Sequence, residues 1–123
     1  MNNIIQVALA YLDSVKLSRS ENTARTYTNA LNVFMQILEE KKLPPAETPI
    51  EKLSEEAIVW LATALKDTAP ATERLYLTAT TGFYEYLAAE KLSDINLPRL
   101  RLLIKQRARR PGQRLPQFPR ENI

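Results

Sequence analysis

The sequence predicts an all-α protein, a small bundle of four to five helices with a basic C-terminal linker. Three observations carry that prediction. Apolar residues recur at helical spacing in several segments separated by polar or proline-containing breaks. Glycine occurs only twice in 123 residues, against about 7% in an average protein, too few for a glycine-turned β architecture. No period-two alternation of useful length competes. Hydrophobic residues make up 45% and charged residues 25%, a globular balance.

The first helix spans Ile4 to Val15, with Ile4, Ile5, Ala8, Leu9, Tyr11, Leu12 and Val15 on its stripe and Asn2 or Asn3 as cap. A polar connection, 17–22, offers Ser20 or Asn22 as the next cap. The second helix runs from Thr23 to about Lys41, burying Tyr27, Leu31, Phe34 and Leu38, with Ala24, Ala30 and Ile37 flanking. It stops before Leu43-Pro44-Pro45, because proline cannot continue a helix. Residues 43–53 form a loop with three prolines.

Ser54-Glu55-Glu56 reads as a cap and acidic first turn. The third helix then buries Ile58, Leu61 and Leu65, with Trp60 alongside, and ends at Asp67 to Pro70. The fourth runs from near Ala71 to about Lys91 on Leu75, Ala79, Phe83, Tyr86 and Leu87. Tyr84 reads as a packing or surface aromatic. Leu100, Leu103 and Ile104 give a short fifth helix, and Pro111, Pro116 and Pro119 an extended linker. The expected core is Leu9, Leu12, Tyr27, Leu31, Phe34, Leu38, Leu61, Leu65, Leu75, Phe83 and Leu87.

Whole reaction classes drop out. Without cysteine there is no disulfide, thiolate metal site or thiol nucleophile. Without histidine, the commonest general base and metal ligand are missing. No phosphate-cradling glycine loop occurs. The acid pairs Glu39/Glu40 and Glu55/Glu56 are sequence neighbours that splay around a helix, so they read as solvated charge. No catalytic residue, cofactor or metal site is therefore expected. No segment approaches the ~18 apolar residues of a membrane span, and the N-terminus lacks a basic start before its apolar part. A cytoplasmic protein is the expectation.

Charge is unevenly placed. Residues 1–98 hold nine basic and thirteen acidic residues; residues 99–123 hold seven arginines and Lys105 against Glu121 alone. A polycationic segment on a mildly acidic body points to a polyanionic partner. Arginine's planar fork suits phosphate.

Two helix faces offer matching chemistry. Opposite its apolar stripe, the second helix presents Arg25, Asn29, Asn32 and Gln36, with Thr23 and Thr26 at its first turns. The fourth presents Thr72, Arg74, Thr78, Thr81 and Glu85. Arginine with short polar residues suits a helix approaching DNA, and helix N-termini receive phosphate. An ordinary solvated face has the same composition, and the two faces cooperate only if they lie on one side.

The order of these residues is familiar. Ser20, Thr23, Tyr27, Leu31 and Phe34 follow the pattern "S..T...Y...L..F", which resembles the start of the N-terminal core-binding domain of tyrosine recombinases (phage integrases and Xer-type enzymes). Ala71-Thr72, Leu77, Ala79 and Phe83-Tyr84-Glu85-Tyr86-Leu87 resemble a later helix of that domain. The segment from Arg114 to Ile123 looks like the interdomain linker and the first residues of a catalytic domain. The resemblance covers nearly the whole chain, through generic helix-core residue types. Thr81 and Tyr76 stand where the family often has arginine, which implies fewer phosphate contacts.

The resemblance implies a SAM-like bundle, residues 1–98, that clamps duplex DNA with two helices toward the major groove. It implies a basic helix or linker over 99–123. DNA contacts fall on Thr23, Arg25, Thr26, Asn29, Thr72, Arg74, Thr78, Thr81, Arg107, Arg109, Arg110 and Arg114. Implied partners are double-stranded DNA and other recombinase protomers in a synaptic complex, not a membrane; the isolated chain is expected to be monomeric. The family's catalytic set includes histidine and lies in a C-terminal domain, so no strand cleavage is expected here. Ile123 falls just inside the start of such a domain, the expectation for a fragment or a truncated gene.

The competing function is a helical interaction module whose basic tail takes an acidic partner. A helix-turn-helix factor is disfavoured, because residues 43–53 are too long and proline-rich for its turn. A membrane binder is disfavoured, because the basic segment carries no Trp or Phe on an apolar face.

Overall fold

A computed structural model describes residues 2–107. Among them are five α-helices and no strand: α1 (Ile4–Ser18), α2 (Glu21–Glu40), α3 (Glu56–Ala64), α4 (Pro70–Ala89) and α5 (Leu97–Arg107). Short 3₁₀ turns at Ile50–Lys52 and Leu65–Asp67 flank α3. The all-α expectation holds.

Local chemistry sets the boundaries. Asn3 caps α1 in a capping box, its side chain accepting from the Gln6 N–H while Gln6 returns to the Asn3 N–H. Ser20 caps α2 through the Thr23 N–H. Pro70 occupies the first turn of α4, where its missing N–H costs nothing. The segment expected to break the third helix thus also starts the fourth. Both long helices end alike. The Leu43 N–H donates to the Leu38 carbonyl and the Lys42 N–H to Glu39, with Lys42 left-handed at φ 66°. Leu92 and Lys91 repeat this on Leu87 and Ala88, with Lys91 at φ 57°. Lysine stands at both positions where glycine is usual.

Aromatic packing fixes the arrangement. Tyr11 of α1 packs on Phe83 and Tyr86 of α4, each at 5.6 Å, and its hydroxyl donates to the Ala79 carbonyl. Phe34 of α2 packs on Phe83 and Tyr84 at 6.5 and 6.1 Å. One α2 turn pair earlier, Tyr27 shares a cleft with Thr78 and Gly82. Stepping from Tyr27 to Phe34 therefore matches stepping from Thr78 to Tyr84, so α2 and α4 advance in the same direction. Along α1 the match runs backwards: Arg19 lines the cleft with Thr78, and Tyr11 meets Phe83 and Tyr86. At the other end the 43–53 segment closes on the start of α1, with Ile4 and Ile5 donating to Thr48 and Pro45, and Ile50 to Asn2.

The core corrects several expectations. Leu9 is 59% exposed and Leu75 50%. On α1 the buried face passes through Ile4, Val7, Ala8, Tyr11, Leu12 and Val15. On α4 it follows Glu73, Leu77, Ala79, Thr80, Phe83, Tyr84 and Leu87. With Leu77 pointing inward, Leu75, about 200° away around the helix, must face out. Tyr27 is half-buried. Tyr84 is fully buried, its hydroxyl donating to Ser54 O at 2.7 Å.

Helix α5 packs on α3 and α4 through fully buried Leu100. Glu55 and Glu56 are not simply solvated charge. Both converge on the Arg99 guanidinium, and Glu55 also accepts the Asn96 N–H at 2.7 Å. On its other flank α5 pairs Arg101 with Glu85 of α4 at 3.1 Å.

Candidate nucleic-acid interface

The codirectional α2 and α4 place both their N-termini at one end of the bundle. Partly unsatisfied N–H groups make such ends electropositive. The short α1–α2 connection brings Lys16 and Arg19 to the same end, with Lys16 beside Arg25 and Glu21. Arg74 sits one turn into α4. Glu21, Asp67 and the buried Glu73 in the first turn of α4 are also there, while Glu39, Glu40, Glu47, Glu51, Glu55, Glu56 and Glu90 fall toward the opposite end.

Between α1 and α4, joined by Tyr27 of α2, a cleft is lined by Ser14, Ser18, Arg19, Thr78, Gly82 and Glu85, with Tyr11 and Val15 buried beneath. The Arg19 guanidinium lies over the Tyr27 ring, 5.8 Å from its centroid, which fixes the cation at the mouth. Burial pushes the Tyr11 phenol well above its ordinary range, while Tyr27, Arg19 and Glu85 act on it through their fields. Gly82 is where α4 lets the Tyr11 hydroxyl approach.

Each expected contact residue has a definite place. Arg25 is exposed, reaches Asn22 Oδ1 at 3.4 Å, and lines a second depression with Lys16, Ala24 and Thr28. Asn29, Arg74 and Thr78 are exposed. Thr23 and Thr72 are half-buried, and the Thr23 hydroxyl accepts from Ser20. Thr26 and Thr81 are half-buried and donate to the Asn22 and Leu77 carbonyls at 3.1 and 2.7 Å. Those two hydroxyl hydrogens are committed inside their helices, which leaves acceptor capacity outward. Arg107 ends α5; Arg109, Arg110 and Arg114 lie outside the described residues. The structure brings Thr78 to Arg19 and Tyr27, whereas Arg25 faces the neighbouring depression.

Lys16 and Arg19 were missing from the expected contacts. The available signal was the connection at 17–22, short enough to fold two helices back on each other and carry cations beside it to the start of α2. Two cations of the basic segment, Arg99 and Arg101, are already engaged by acids of the bundle.

Among the described residues no cluster of three or more His, Cys, Asp or Glu could hold a metal ion, and no helix is long and apolar enough to cross a membrane. A family model described as the phage integrase N-terminal SAM-like domain matches residues 9–91. No curated protein and no solved structure gives a match.

Proposed function

The chain belongs to the phage integrase N-terminal SAM-like domain family, and on that premise we propose that it binds duplex DNA through the end of the bundle where α2 and α4 begin. Membership gives it a recombinase-related role. The observation that carries the proposal is the shared direction of α2 and α4. It puts two helix N-termini at one end of the bundle, the end to which Arg19, Arg25 and Arg74 belong in sequence.

Arg19 and Arg74 contact phosphates. Arg25 and Asn29, on the outer face of α2, meet base edges or phosphates. Thr23, Thr26, Thr72, Thr78 and Thr81 set register. The basic residues of the C-terminal segment, Arg107, Arg109, Arg110 and Arg114, follow the DNA backbone. Other recombinase protomers on the same DNA are the protein partners. The chain binds and does not cleave.

The test is an NMR titration of the ¹⁵N-labelled chain with a short duplex at two salt concentrations. Shifts are expected at residues 19–29 and 72–81, weakening steeply with salt. Three to five phosphate contacts correspond to Kd on the order of 10⁻⁴ to 10⁻⁶ M at physiological salt. Shifts confined to residues beyond Arg99, with both helices silent, overturn the proposal in favour of a protein-binding bundle with a polycationic tail.

A further inference from the structure

Glu85 is out of place in a phosphate-binding cleft. It lies on the same face of α4 as Thr78, two turns on, and lines the cleft with Arg19 and Tyr27. Two turns of helix are about 11 Å, close to the Debye length of about 10 Å at 0.1 M salt. An unpaired carboxylate there would oppose a phosphodiester entering between Arg19 and Thr78. The structure supplies the remedy from another element: Arg101 of α5 places Nη2 3.1 Å from Glu85 Oε2.

The pair is not needed to hold α5. Both partners are about half exposed, and exposed pairs add little to stability. Helix α5 is seated by buried Leu100 and by the contacts of Arg99 and Asn96 with Glu55. Its consequence lies in the field at the cleft. That field reaches Tyr11, on the cleft floor, where Arg19 and Glu85 act with opposite sign.

Resting on the DNA-binding reading, we propose that Arg101 is a positioning residue for that site: by neutralising Glu85 it makes the cleft between α1 and α4 receptive to a phosphodiester. Docked α5 is thereby part of the binding apparatus, acting through Glu85.

The test is a double-mutant cycle on the full chain, read as binding of a fluorescein-labelled short duplex at low and moderate salt, with circular dichroism to check the fold. Arg101→Ala is expected to weaken binding roughly three- to tenfold at low salt, and less at moderate salt. Glu85→Gln, which leaves Arg101 uncompensated beside the cleft, is expected to bind more tightly than wild type at low salt. Glu85→Gln with Arg101→Ala, which removes both charges of the pair, is expected to restore binding to near the wild-type level. If Glu85→Gln does not restore binding to the Arg101→Ala chain, Arg101 touches DNA itself, and the proposal is overturned. It is also overturned if Arg101→Ala binds like wild type. A wild-type chain that binds no duplex at either salt overturns the DNA-binding reading as well, which distinguishes the two failures.

Discussion

The Tyr84 hydroxyl donates to the Ser54 carbonyl at 2.7 Å, tying the C-terminal half of α4 to the entrance of α3. The ring is fully buried, so the hydroxyl has no water to turn to. Tyr84→Phe keeps the ring and strands the carbonyl. A loss of about 1–2 kcal/mol is expected, seen as a lower urea midpoint at unchanged slope. An unchanged midpoint would mean that water replaces the phenol.

Gly82 is set by a neighbour rather than by its backbone. A Cβ there would collide with the Tyr11 hydroxyl. Alanine is the better helix former by about 1 kcal/mol, yet Gly82→Ala is expected to destabilise by about 1–3 kcal/mol through overpacking. Combining it with Tyr11→Phe should recover part of that loss. Thermal melts of the two variants decide the matter.

Lys42 and Lys91 occupy the left-handed position that ends α2 and α4. That conformation costs a residue with a Cβ about 1–2 kcal/mol, partly offset by the greater freedom glycine has when unfolded. Lys42→Gly and Lys91→Gly are each expected to stabilise by up to about 1 kcal/mol, raising Tm, whereas Lys→Ala at either site should not.

Glu55 carries a pH signature. Burial pushes its carboxyl up, but the Asn96 N–H and the Arg99 guanidinium outweigh that and hold it below its ordinary value of 4.5. A depressed folded pKa contributes stability that is complete above the unfolded value and is lost as pH falls through the folded one. Urea midpoints should therefore drop below about pH 4.5, and drop less in Glu55→Gln. Parallel pH profiles for the two proteins would refute this.

At the basic end, Arg19→Ala and Arg74→Ala should each weaken duplex binding and reduce the slope of log K against log salt by about 1. Arg25→Ala should do the same if it meets phosphate. If it meets a base edge, it should relax sequence preference while leaving the slope nearly intact.

Legibility differed from element to element. Helix α2 was readable because one face is apolar and the other polar, so Leu31, Phe34 and Leu38 fell inside as expected. Helix α4 carries apolar residues around most of its circumference, including Leu75, Tyr76, Leu77 and Phe83. Its sequence alone admits more than one phase, and Leu75 was placed on the wrong side. Leu9 was misplaced for the same reason. Glu55 and Glu56 looked like solvated charge because their partner, Arg99, is more than forty residues away. The contact residues on α2 and α4 were legible as types, but their grouping was not.

The sequence by itself determined the all-α class, the helix order, the pairs of candidate caps at Asn2 or Asn3 and Ser20 or Asn22, and the charge asymmetry. These depend on neighbours within a turn or two, where helical period, capping chemistry and proline act. Only the tertiary structure decided that α2 and α4 run the same way, that Arg19 at the end of α1 joins Thr78 of α4 in one cleft, and that Arg101 reaches Glu85 there. Those relations follow from how aromatic side chains interlock between helices distant in sequence. Close packing chooses one arrangement among several that the same apolar pattern permits.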